Sequence, residues 1–402
     1  MAGLSLFLLV VVGTVTWAAL RPDTYTADPR QSPGTPTVQP ALAARALHRL
    51  EDAVVARDPG AAAALAADDD VASARLLSAI VDNARALKVR DFTLRYVDET
   101  GAVSADGAWE AAVDATWRFA GFDRAPARAE VRFGFAQVGG RVALVSVGGG
   151  DRRTPLWMTG PMQVRRTATT LVLAASKVDA DRYAARATAA VPVVRAVVTG
   201  WRPRLVVEVP GSIRGLDRAL AADPGTYDNI AAVTTSVDGT LAPGSPVHVF
   251  VNPEVLGRLR PAGAQVVMSH EATHVATDAA RSVMPIWLVE GFADYVALRD
   301  VHLPITTTAG QIIDQVRRHG PPRALPGAVE FDTSTSHLGA AYESAWLVCR
   351  VLADRGGERA LVRLYRQVDG GQALGAALTT DFDWNVRQLT QAWRARLAGL
   401  VS

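Results

Sequence analysis

Hydrophobic and polar positions divide the chain into stretches of different period. Residues 3–20 form eighteen positions without a charge, long enough to span a bilayer at the short end. Trp17 and Arg21 suit an interfacial end of such a span. An uncleaved anchor is favoured over a cleaved signal peptide, because no Lys or Arg precedes the run and no clean A-x-A site follows it. No Cys lies near its end, which excludes a lipoprotein anchor. Arg21 and Arg30 follow the span and, taken literally, would keep the body inside; long domains translocate despite flanking charge, and an extracytoplasmic body is the expectation. Residues 21–40 are rich in Pro, Thr, Asp and Ser and show no period, as a solvated linker would.

Residues 41–161 predict a small α+β domain. Leu47, Leu50, Val54 and Val55 recur at helical spacing, and a second helix is expected over 70–86. The run Asp68-Asp69-Asp70 reads as a helix start, where Asp is favoured, rather than a cation site. Strands are expected over 91–97, 109–119, 128–138 and 141–147, the last two joined at Gly139-Gly140, a strong hairpin signal. Helices followed by a meander of strands is an α+β order. It is similar, in pattern only, to cone-shaped nuclear-transport-factor-2-like domains.

Gly148-Gly149-Gly150 and residues 157–161 mark the passage to a second domain, 162–402. Strands are expected over 169–175, 204–209 and 246–252, and a helix over 179–198 that Pro192 should break or kink. His248 alternates with apolar neighbours and reads as part of a polar strand face. Helices are expected over 262–277, from Pro285 onward, over 311–318, 338–353, 358–365 and 385–400. In the last, Leu389, Trp393 and Leu397 form a packing stripe.

Composition narrows the class. The chain has 402 residues, 49% hydrophobic and 20% charged, enough for two globular domains. Lys and Arg number 42 against 40 Asp and Glu, so no basic field points to nucleic acid. The single Cys349 excludes an intramolecular disulfide and a multi-Cys metal cluster; it sits among apolar residues as a small buried hydrophobe.

The chemistry lies in the second domain. His270-Glu271-Ala272-Thr273-His274 reads H-E-x-x-H within the predicted helix 262–277. Residues four apart share a helix face, so both imidazoles can reach one metal ion, with Glu271 beside the open position. Zinc needs a third protein ligand and leaves the fourth position to water. Glu290, on the next helix among Trp287, Leu288, Val289 and Phe292, is placed to supply it; a lone carboxylate in that company would be costly to bury. Asp294, one turn further, can accept the spare N–H of a ligating His.

With these residues in place, 261–295 resembles the gluzincin metallopeptidases, the thermolysin-like group, and most of all the peptidase-MA-like branch, whose second helix reads W-L-x-E-G-x-A. The resemblance implies zinc held by His270, His274 and Glu290, with Glu271 as general base and Asp294 behind a ligand. It implies a mainly helical peptidase domain with a small sheet, one edge strand of which binds substrate backbone; whether residues 246–252 are that edge stays open. It implies hydrolysis of peptide bonds in a protein or peptide. The Gly-x-Met-Glu-Asn signature of the large aminopeptidases is absent.

Gluzincins often stabilise the oxyanion with a Tyr or His outside the metal motif. Tyr342, with Ala345, Trp346 and Cys349 on one face of the helix 338–353, is the candidate, and His337 the alternative. His302 and His319 read as surface residues and His48 as remote. The competing expectation is a catalytically silent scaffold acting through its N-terminal domain; the intact Glu271 and ligands weigh against it.

Overall fold

Local capping sets several boundaries. Asp70 accepts a hydrogen bond from Ser73 N and starts the helix Val71–Leu87, as the Asp run predicted. In the computed structural model, which describes residues 37–332 and 337–401, three helices come first: α1 (Pro40–Ala56), α2 (Pro59–Ala63) and α3 (Val71–Leu87). They pack on an antiparallel meander of β1 (Val89–Thr100), β2 (Ala108–Phe119), β3 (Ala127–Val138) and β4 (Arg141–Val147), paired in sequence order. Gly139 and Gly140 both take positive φ in the β3–β4 turn, the conformation glycine adopts at least cost. Val55, expected on the buried stripe of α1, is exposed, while Leu47, Leu50 and Val54 are buried.

The second half carries a five-stranded mixed sheet. Its strands are β5 (Gln163–Arg166), β6 (Thr170–Ala174), β7 (Leu205–Val209), β8 (Ala232–Ser236) and β9 (Val247–Val251), in the order β5-β6-β7-β9-β8. β6, β7 and β9 run parallel; β5 and β8 are antiparallel edges. The strand expected over 246–252 is therefore interior, and the edge beside the motif helix is β8. The crossover helix α4 (Lys177–Val197) runs on through Pro192. Burial of Ala187, Ala190, Val191 and Val194 offsets the hydrogen bond that proline removes. The short α5 (Ile213–Leu220) and α6 (Pro253–Leu256) lead to α7 (Pro261–Thr277) and α8 (Ile286–Leu298). α9 (Ile305–Thr308), α10 (Gly310–His319), α11 (Leu338–Gly356), α12 (Glu358–Asp369), α13 (Leu374–Phe382) and α14 (Val386–Gly399) complete the described chain.

Alternation along this sheet joins the two halves. Val172, Ala174, Val207, Val209, Val249 and Val251 belong to the core shared with the C-terminal helices. Leu171, Leu173, Val206 and Phe250 point the other way, into the core of the first three helices and the meander. The sheet is thus buried on both faces, as parallel strands require.

The face towards the first half also carries His248, which corrects the expectation of a polar strand face. It is only 1% exposed. Its Nδ1 lies 2.7 Å from Glu208 Oε1 on β7 and its Nε2 3.0 Å from Asp123 Oδ1 on the loop after β2. The other Asp123 oxygen accepts from Phe119 N, and the Phe119 ring stacks on the imidazole. Burial disfavours the imidazolium, but the two carboxylates outweigh it and push its pKa up to about 9.

Among the described residues no helix is long and apolar enough to cross a membrane. The expected anchor 3–20 lies outside the described residues.

Candidate active site

α7 starts with Pro261 at its first position, where a missing N–H costs nothing, and ends at Asp278 in the left-handed region. Its four-residue spacing sets the His270 and His274 rings 4.5 Å apart, edge to face. Their Nε2 atoms are 2.9 Å apart, and each lies 3.2 Å from Glu290 Oε2 on α8. Pro285, expected at the first position of α8, is instead its N-cap residue, and the helix begins at Ile286.

Three inward-facing lone-pair atoms repel one another unless a proton or cation lies between them. A tetrahedral zinc with bonds of ~2.0–2.1 Å would space its ligands by ~3.4 Å, close to the observed separations. The donor set, two imidazole nitrogens and one carboxylate oxygen, is that of hydrolytic zinc sites. Asp294 Oδ1 lies 2.7 Å from His270 Nδ1, so the spare N–H has an acceptor and Nε2 keeps its lone pair for a metal. His274 Nδ1 is buried without a partner among the described residues, so no hydrogen bond at that nitrogen orients the ring.

Electrostatics support a cation here. Burial opposes the His270 imidazolium, but Asp294 and Glu290 outweigh it and hold its pKa well above the usual range. Burial likewise opposes the Glu290 carboxylate, but His274 and His270 hold its pKa far below the usual range. Both shifts come from one coupling, positive charge on the imidazoles beside the Glu290 and Asp294 carboxylates, and a divalent ion would supply that charge instead.

Glu271, Tyr342 and Asp294 line one cleft of about 550 Å3 with His270. Glu271 Oε2 accepts a 2.7 Å hydrogen bond from Thr234 Oγ1, so the edge strand β8 holds the carboxylate in place. Ala232 of β8 and Asn229, Ile230 and Ala231 before it form the opposite wall. Gln311 from α10 closes one side. The Tyr342 ring meets the His270 ring edge to face at 5.9 Å and packs on Phe331. Burial, then Glu290, Glu271 and Asp294, push its phenol pKa far up, so it stays a hydrogen-bond donor.

Gly291 makes this assembly possible. A Cβ there would lie 2.3 Å from Ala345 O, so only glycine lets α11 approach α8. That approach brings Tyr342 to the cleft carrying Asp294. His337 is not part of it: exposed, it lines a separate cavity with Ala341, Ser344 and Trp393. His302 and His319 are exposed, as expected, and so is His48 on α1 in the first half. Sequence reasoning missed Thr234 and β8, although the β-branched run Val233-Thr234-Thr235 was a strand signal.

No family model matches the chain, and no curated protein matches it. What sets it beside the gluzincin metallopeptidases is the site alone, a His270-Glu271-x-x-His274 helix and a downstream Glu290 that together build their zinc-binding architecture.

Proposed function

We propose that the chain is a zinc-dependent peptidase that hydrolyses peptide bonds in a protein or peptide substrate. The observation that carries this is the meeting of His270, His274 and Glu290 within one ligand sphere, with Glu271 in the same cleft. Zinc bound there supplies Lewis acidity towards the substrate carbonyl and its attacking water. Glu271, steadied by Thr234, takes a proton from that water and passes it to the leaving amine as the C–N bond breaks. Tyr342, kept protonated, donates a hydrogen bond to the developing oxyanion. Asp294 holds the His270 ring in the orientation that presents Nε2. The unpaired edge of β8 offers main-chain hydrogen bonds to an extended substrate.

Metal analysis and a Glu271→Gln variant test this. Zinc is expected in both proteins and cleavage only in the parent. Absence of zinc, or parental cleavage by the variant, would refute it.

Three further parts of the proposal concern the rest of the chain. Residues 3–20 act as a single-pass anchor that holds the peptidase outside the cytoplasm, or as a signal that releases it if cleaved; their composition supports this. Residues 41–161 form a nuclear-transport-factor-2-like domain, for which helices followed by a four-stranded meander are the support. The peptidase domain then spans 162–402. Protease accessibility on intact cells tests the orientation: loss of the 162–402 epitope without permeabilisation is expected, and protection would overturn it.

A further inference from the structure

A second cleft, of about 290 Å3, opens where the first half meets the end of α7. Arg124 comes from the loop after β2, Arg202 and Arg204 from the lead into β7, and Arg281 from just beyond α7. Arg281 is fully used: its guanidinium binds Asp278, Ala242 O and Ser245 O. The side chains of Arg124, Arg202 and Arg204 have no ion pair or hydrogen bond to any described residue. The two carboxylates in the lining are both engaged, Asp278 with Arg281 and Asp123 with His248.

We propose that this cleft binds a compact anion of the phosphate class, held by Arg124, Arg202 and Arg204. Guanidinium forks match phosphate oxygens in paired hydrogen bonds, and these three, solvent-exposed along one cleft and unpaired among the described residues, are free to turn towards a single anion. Hydrogen bonds hold both walls. Asp123 ties the Arg124 loop to His248 and Phe119 N, and the Arg281 contacts fix the opposite side. The volume lies at the small end for ligand sites, which favours a phosphate or phosphate ester over a larger molecule. The anion would bridge the first half and the motif helix, one turn beyond His274, because Val275, Ala276 and Asp278 share the lining. Lipid headgroups carry the same chemistry. However, the described chain enters at the other end of β3, where Gln137 binds Thr37 O, roughly 34 Å along that strand from the cleft. A soluble source is therefore favoured.

The test uses the full-length, zinc-loaded chain in detergent and inorganic phosphate, followed by phosphorus-31 line broadening at low salt. Parent and an Arg124→Glu/Arg202→Glu/Arg204→Glu variant are compared. Phosphate bound at the zinc would appear in both and cancel. The proposal expects at least tenfold weaker binding in the variant, with zinc content and peptidase rate unchanged, and binding in the parent that falls as NaCl rises. Should the variant fail to fold, Arg204→Ala alone should weaken binding about threefold. Equal binding in parent and variant, an adventitious ion only, would overturn the proposal, as would no binding in any arm. Vesicles containing phosphatidylglycerol form the second arm. Arginine-dependent capture by these without binding of free phosphate assigns the anion to a headgroup; capture that ignores the arginines counts against the cleft.

Discussion

The contact of His248 with Asp123 and Glu208 should make the union of the two halves depend on pH. Asp123 belongs to the first half, whereas His248 and Glu208 belong to the second sheet. The groups that face the imidazole are these two carboxylates and the rings of Phe119 and Phe250; Arg166, lying over the Phe122 ring, is the next cation to Asp123. With the folded pKa at about 9 against 6.5, the proton contributes about 3 kcal/mol of stability. A raised histidine pKa means that this contribution is complete below pH 6.5 and is lost as pH rises through 9. Replacing His248 by Gln removes the cation and leaves two buried carboxylates facing an amide, so the variant should be less stable by about 3 kcal/mol at pH 6. The assay is chemical denaturation of zinc-saturated parent and variant at pH 6, 7.5 and 9.5. Zinc saturation keeps His270 from titrating. Glu343, which burial pushes up to about 7, titrates in both proteins and cancels in the difference. That difference should shrink to under about 1 kcal/mol at pH 9.5. A difference that stays constant across the range would mean that His248 is neutral and merely packed, and the charge argument would fail.

Three other expectations follow from the site. Tyr342→Phe should lower kcat by roughly a hundredfold with KM changed little, because the lost donor acts on charge that develops only in the transition state; an equal rise in KM would point to substrate binding instead. Asp294→Ala should weaken zinc binding by about 10- to 100-fold in a chelator competition, and unchanged affinity would show that packing alone orients His270. Gly291→Ala should cost about 1–3 kcal/mol in thermal or urea unfolding and lower activity as well, since α11 must retreat from a Cβ that would sit 2.3 Å from Ala345 O.

What could be seen in the sequence depended on whether a feature was local. The H-E-x-x-H spacing, Pro285 ahead of α8 and the Asp70 cap are set within a turn or two of helix, so composition and period were enough. β4 was expected over 141–147 and is found there, because a Gly-Gly turn fixes its start. Failures came where partners are distant in the chain. β8 is five residues long with only its end positions, Ala232 and Ser236, buried; the short β-branched run was its one local signal, and pairing with β9 is what makes it a strand. His248 looked like one polar position on a strand because Asp123, 125 residues earlier, was invisible to any period. Pro192 was expected to break or kink α4; the helix is not broken there, because local propensity lost to a buried face.

Gly291 shows how the two kinds of information meet. In sequence it is one letter of W-L-x-E-G-x-A, and its neighbour Glu290 draws the attention because it bears the ligand oxygen. In the fold it is the contact point of α8 and α11, where Ala345 O and Cys349 Sγ occupy the space a side chain would need. The buried Cys349, read as a small hydrophobe, has its reason here too: its sulfur closes the other side of that contact. A glycine beside a ligand thus sets the distance from the metal helices to Tyr342. The position of Tyr342, the proposed oxyanion donor, is then fixed by backbone packing rather than by a hydrogen bond of its phenol to any described residue. It follows that a bulkier residue at Cys349 should perturb kcat in the same direction as one at Gly291, although neither side chain lines the cleft.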